Sequence, residues 1–152
     1  MSSYEVARST TIAAPPAEVQ ALVDDFHAWT RWSPWEDIDP DVHRTYAGPD
    51  RGVGARYAWK GNRKAGEGAM EVIASTPERV EIDLAFLKPW KATSDVAFEL
   101  APTAGGTEVT WRMRGEQTGL AGVIARLLPM EKMLAKDFDK GLARLKAVAE
   151  NA

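Results

Sequence analysis

Cysteine is absent from this chain, which excludes disulfides, thiolate nucleophiles and thiolate-bound metals in one step. Histidine is almost as scarce. His27 and His43 are the only two, too few for an imidazole-rich zinc site, so no metal and no cofactor is expected. No apolar run reaches the roughly 18 residues that a membrane-spanning helix requires. The opening MSSYEVARSTTIAAPP also does not join a basic start to an apolar stretch. The expectation is a cytoplasmic protein with no membrane insertion. A basic run is missing too: 19 lysines and arginines against 22 acids give a net charge of −3 and lie scattered. Nucleic acid would find no electrostatic footprint.

What is present is a chain of 152 residues, 45% hydrophobic and 27% charged. That size and balance suit one globular domain with one core, spanning residues 1–152. The mixture is far from the low-hydrophobicity, high-charge composition that keeps chains unfolded.

Residues YEVARSTTI, about 4–12, read as a strand rich in Val, Ile and Thr. In APPAEVQALVDDF, Val19, Leu22, Val23 and Phe26 fall at helical spacing behind a proline suited to a first turn. Trp29 and Trp32 continue that stripe until Ser33-Pro34 disfavours helix. The segment WTRWSPW therefore ends a helical corner, with Trp29 and Trp32 structural. Trp35, beyond the stop, is free either to join the core or to cap a cavity.

Turn signals then cut the middle of the chain into six strands, at about 42–48, 53–60, 67–75, 79–87, 92–100 and 107–114. Alternation is clearest in RVEIDLAFL, where Val80, Ile82, Leu84 and Phe86 face one way and Arg79, Glu81 and Asp83 the other. By the same rule Glu71, Asp95 and Arg112 face outward. After Leu120 the helical period returns. A short segment at about 119–128 precedes a long helix beginning near Pro129, whose stripe is Met130, Met133, Leu134, Phe138, Leu142, Leu145 and Val148. Gly141 within it costs about 1 kcal/mol relative to alanine, and its bare backbone lets the sheet or a ligand approach.

The AAPPAEV helix entry, the WTRWSPW corner, the segments DRGVGARYAWKGN and TEVTWRMRG, and the ending DFDKGLARLKAVAE together resemble the START-like (SRPBCC) superfamily, in its polyketide cyclase/dehydratase-like branch. The resemblance runs from Tyr4 to about Glu150. It implies an α+β helix-grip fold, β-α-α-β6-α, with a curved antiparallel sheet wrapped around a long C-terminal helix and a cavity between them for a hydrophobic small molecule. It implies no particular reaction, because that superfamily mixes lipid carriers, hormone receptors, cyclases and chaperone activators.

The inward side chains that suit such a ligand are Trp35, Tyr57, Trp59, Met70, Phe86, Phe98, Trp111, Met130 and Met133, large aromatics and flexible methionines. Aromatic and methionine stripes also fill ordinary cores. Trp59 and Trp111 stand out, since a buried indole N–H needs a partner. For a cyclase, Tyr57 is the only tyrosine that the alternation places inward, and so is the candidate catalytic group. Ser33 and His27 with Asp24, Asp25 or Asp37 can be written as a triad, but nothing resembles a nucleophile elbow. The acidic WEDIDPD loop lacks calcium-loop spacing, and the basic residues of the last helix are interleaved with acids, as on a solvated face. Three readings stay open: a carrier or sensor of a lipid, fatty acid or aromatic polyketide-like molecule; a polyketide cyclase or dehydratase; and an interaction domain that exposes the indole corner.

Overall fold

The structure, a computed structural model, describes residues 2–36, 39–62, 66–88, 91–117 and 130–151. The elements are β1 (Ser2–Ile12), α1 (Pro16–Val23), α2 (Phe26–Trp29), β2 (His43–Ala47), β3 (Arg56–Lys60), β4 (Glu67–Thr76), β5 (Arg79–Lys88), β6 (Ala92–Thr103), β7 (Gly106–Gln117) and α3 (Met130–Glu150). The strands form one curved antiparallel sheet in the order β1-β7-β6-β5-β4-β3-β2. The first strand thus closes against the last, with Val6 opposite Met113 and Ile12 opposite Thr107. The expected segment at 119–128 and the side chain of Met130 lie outside the described residues.

Turn chemistry moves several strand ends. Glycines with positive φ at Gly48, Gly52 and Gly54 hold residues 48–55 in a turn, so β2 and β3 are shorter than the alternation implies. A side chain at Gly48 would put its Cβ 2.3 Å from the Gly54 carbonyl oxygen. β6 and β7 are longer than expected, because they pair as far as Thr103 opposite Gly106 and leave only Ala104-Gly105 between them.

The helical corner is two helices. Asp24 caps the end of α1, and Asp25 caps the start of α2 by accepting the His27 N–H at 2.9 Å. The stripe survives the break, with Val19, Leu22, Val23, Phe26, Trp29 and Trp32 all buried. The break also leaves carbonyls at the end of α1 without helical partners. Trp29 Nε1 donates to Val23 O and Trp32 Nε1 to Leu22 O, each at 2.9 Å, so both indoles bury their rings and satisfy that helix end.

The dry face of the sheet is covered by this corner and by α3, which runs along β1. Arg8 binds Asp139 at 2.8 Å, Lys146 Nζ donates to Thr11 O, and Ala13 N–H donates to Glu150 Oε2. Gly141 brings α3 close to the corner: a Cβ there would lie 2.9 Å from both Pro34 Cδ and Trp111 Cζ3. At the centre Trp111 is sandwiched between Phe98 and Phe138, at 5.1 and 4.0 Å between ring centres, with Trp29, Trp32 and Trp35 presented to it at steep angles. The opposite face is solvated. Glu71 and Asp95 are exposed there, and Arg112 bridges Glu5 and Glu99.

Candidate functional site

Between the sheet, the corner and the first turns of α3 lies a cavity of about 230 Å³. The corner contributes Trp29, Ser33, Trp35, Glu36 and Asp39; β2 and β3, with the residue before β2, contribute Val42, Arg44, Tyr57 and Trp59. The central strands add Met70, Leu84, Phe86 and Val96, β7 adds Trp111 and Met113, and α3 adds Leu134. The outer face carries a broader hollow of about 620 Å³, where the cross-strand row Thr45, Ala58, Ala69, Ala85 and Thr93 has only small side chains.

Six of the nine expected residues converge on the inner cavity: Trp35, Tyr57, Trp59, Met70, Phe86 and Trp111. Phe98 does not reach it, being fully buried behind Trp111. Met133 is 59% exposed, because the buried row of α3 runs through Leu134, Phe138, Leu142 and Leu145, and Met133 sits about 100° round the helix from Leu134. Leu134 takes the place expected of it.

Alternation found the aromatic wall but missed its polar end. In β2, Arg44 and Tyr46 share the inward face while His43 and Thr45 face out. Register places Arg44 opposite Trp59 and Tyr46 opposite Tyr57, so Tyr57 is not the sole inward tyrosine; the two rings lie 5.3 Å apart. Arg44 Nη2 donates to Glu36 Oε2, and the guanidinium lies near enough to the Tyr57 hydroxyl to interact with it. Burial, reinforced by the Glu36 charge and opposed by Arg44, pushes the Tyr57 pKa up to about 12. The hydroxyl is therefore a neutral group throughout the physiological range. Burial pulls the Arg44 pKa down, but Glu36 and Tyr57 outweigh it and the net shift is upward. Asp39 accepts the Asp41 N–H of its own loop at 2.9 Å and the Asn62 N–H of the turn after β3 at 2.8 Å.

Two residues that line the cavity each keep one fully buried donor without an acceptor, Arg44 Nε and Trp111 Nε1. Trp35 forms a side of the cavity and also packs on the core, edge-on to Trp111 and Phe138 at 5.6 and 6.3 Å, with Nε1 donating to Asp137 Oδ2 at 3.3 Å. Gly68 makes room for Trp59, its cross-strand neighbour, whose indole lies over the bare Cα and meets Phe86 edge-on at 5.8 Å.

The histidines stand apart from this chemistry. His27 stacks on Tyr46 at 4.0 Å and pairs with Asp25 at 3.1 Å, whereas Ser33 lines the cavity and accepts the Trp35 N–H. Asp37 lies outside the described residues. Among the described residues no group of three or more acidic or histidine side chains is arranged to hold a metal, and no helix is long and apolar enough to cross a membrane.

The family model for polyketide cyclase / dehydrase and lipid transport matches residues 3–150. Curated protein sequences give no match. Solved structures share the fold at low identity. Protein CV1439 from Chromobacterium violaceum aligns with a TM-score of 0.68 at 17% identity, over 96% of this chain and 97% of its own. MLL2253 from Mesorhizobium loti aligns with 0.67 at 17%, over 98% of each. Ara h 8.0201 aligns with 0.67 at 12%, over 99% of this chain and all of its own. The curved sheet and C-terminal helix are the helix-grip fold, and the chain belongs to the polyketide cyclase / dehydrase and lipid transport family.

Proposed function

We propose that this family member is a binding module whose ligand, a compact hydrophobic molecule, occupies the inner cavity. The observation that carries the reading is the wall itself: Trp35, Tyr57, Trp59, Phe86 and Trp111 face a common space that the core leaves unfilled. Ligand pockets commonly measure about 300–1,000 Å³, and an apolar void of about 150 Å³ suffices for benzene. A space of 230 Å³ accordingly suits a molecule of one or two rings, such as an aromatic polyketide fragment, better than a long acyl chain. Native mass spectrometry of the protein as purified, with a thermal-shift screen of aromatic and acyl ligands, tests the reading. Stabilisation by two-ring aromatics is expected. No bound species and no shift with any apolar ligand would sink it.

A cyclase or dehydratase is the second reading, favoured by one pairing. The neutral Tyr57 hydroxyl beside the Arg44 guanidinium is a donor pair able to stabilise an enolate oxygen. If Tyr57→Phe left turnover of a responsive polyketide-like substrate unchanged, that role would be excluded.

A further inference from the structure

The space between sheet and helix is divided in two, and the division limits the ligand, an inference that rests on the binding reading above. Register puts Trp111 opposite Phe98, and Phe98 opposite Val80. Among the described residues, every strand side chain that lines the cavity lies in this row or to one side of it. Met113 and Val96 share the next inward row, Leu84, Met70 and Tyr57 the one after, and Phe86 and Trp59 the last. On the other side the interior is filled. Ile12, Leu100 and Val109 from the strands and Leu142 and Leu145 from α3 are at most 2% exposed there.

The boundary between the two halves is a stack of rings. Phe138 lies parallel to Trp111 at 4.0 Å, and Phe98 covers the other face at 5.1 Å. Trp32 meets the stack edge-on, 5.4 Å from Trp111 and 5.9 Å from Phe98. Sheet, corner and helix thus each supply a ring. Two contacts hold α3 against the stack: Gly141 has no Cβ where one would strike Trp111, and Arg8, level with Trp111 in β1, binds Asp139 beside Phe138. Phe138 does not line the cavity, yet three residues that do surround it. They are Trp111 and Trp35, which it meets ring to ring, and Leu134, one turn earlier on its own face of α3. Losing its phenyl group would therefore add about one benzene ring of space to the cavity, with no sealed void between. We propose that Phe138 is the specificity-determining residue for ligand length: by backing Trp111 it stops an apolar chain at the wall and keeps long acyl chains out.

Straight-chain 1-alkanols from hexanol to dodecanol locate the stop by isothermal titration. Affinity should climb about fourfold for each methylene buried and level off once the chain meets the wall. In Phe138→Ala the climb should continue for roughly two to four further methylenes. Leu145→Ala empties a buried site about two turns further along α3; it should destabilise the protein and leave the levelling point unmoved, which separates a shifted wall from a loosened core. Should Phe138→Ala fail to fold, Phe138→Leu replaces it and should move the levelling point by about one methylene. An unbroken climb to dodecanol in the unaltered protein, a levelling point that the Phe138 variant shares with it, or an equal extension in Leu145→Ala would overturn the proposal and leave cavity binding intact. So would failure of the alkanols with every variant while a two-ring aromatic still binds. Failure of both ligand classes would overturn the binding reading as well.

Discussion

Gly68→Ala is the smallest change that tests how the cavity is shaped. A Cβ at this position would fall 2.4 and 2.6 Å from Cη2 and Cζ2 of Trp59 and 2.6 Å from the Ala85 carbonyl oxygen, well inside the roughly 3.5–4.0 Å of a normal contact. The indole end can swing away only toward the cavity. The carbonyl belongs to β5, whose Ala85 is paired with Ala69 of β4 on one side and Thr93 of β6 on the other, and yields far less than a side chain. Overpacking of this kind costs about 1–3 kcal/mol, and replacing glycine returns about 0.4–1 kcal/mol through the unfolded chain. The net expectation is a loss of about 1–2 kcal/mol, which for a domain of this size lowers Tm by about 2–8 °C. Urea unfolding followed by tryptophan emission measures the loss, and ligand titration should show weakened binding as Trp59 enters the cavity.

A second background makes the test decisive. With Trp59→Leu the indole clash is gone and only the carbonyl contact remains, so the Gly68→Ala penalty should shrink by at least about 0.5 kcal/mol. An equal penalty in both backgrounds, or a stabilised Gly68→Ala protein, would refute the claim that Gly68 exists to seat Trp59.

Three further outcomes are expected. Asp24 is 1% exposed and binds the more exposed Arg51 as well as Ser75 at 2.8 Å; Arg51→Met, which strands the buried carboxylate, should cost about 3 kcal/mol, and Asp24→Asn less, as judged by denaturant midpoints. Tyr57 has its pKa raised from 10 to about 12, so the stability that comes from keeping it neutral is complete below pH 10 and is lost as pH rises from 10 towards 12. Tyr57→Phe should flatten that alkaline limb without abolishing it, because the Tyr46 pKa is also raised by burial; an unchanged limb in thermal melts would count against the shift. Trp35→Ala should cost about 2 kcal/mol, less than the roughly 3–5 of a fully buried tryptophan, and should weaken ligand binding as well. A change in only one of the two measurements would make Trp35 purely lid or purely core.

The fold was legible because its signals are periodic. Alternation along β5 to β7 and turn residues between the strands give the number of strands, and the i, i+3, i+4 spacing gives the helices even where Asp24 and Asp25 interrupt them. The errors arise where one local feature overrides a period. Met133 is apolar and neighbours the true stripe, yet one residue of displacement turns it into solvent. Phe98 faces inward as expected but lies behind Trp111, a matter of depth that alternation does not carry. Arg44 is invisible to hydropathy, because a charged residue on a short strand is ordinarily on the wet face. Only its register with Trp59 and the approach of Glu36 from the corner bring it inside. Gly68 leaves no trace in hydropathy at all, since its part is to yield space to a side chain on the neighbouring strand.

The three tryptophans of WTRWSPW divide along the same line between what the fold consumes and what it leaves available. Trp29 and Trp32 have spent their N–H groups on the Val23 and Leu22 carbonyls, so their rings are fixed at both ends and cannot rotate to fill the space beneath them. Trp35 comes after the proline stop, and its indole N–H is tied to Asp137 by a longer bond from a half-buried position. Trp111, which all three surround, has its faces occupied by Phe98 and Phe138 and its N–H by nothing. A core that meant only to be stable would have paired that donor or replaced the indole with phenylalanine, because an unmade buried N–H costs about 1–3 kcal/mol. The stronger reason to regard the cavity as a site and not a packing defect is the wall itself, where five aromatic rings face one unfilled space.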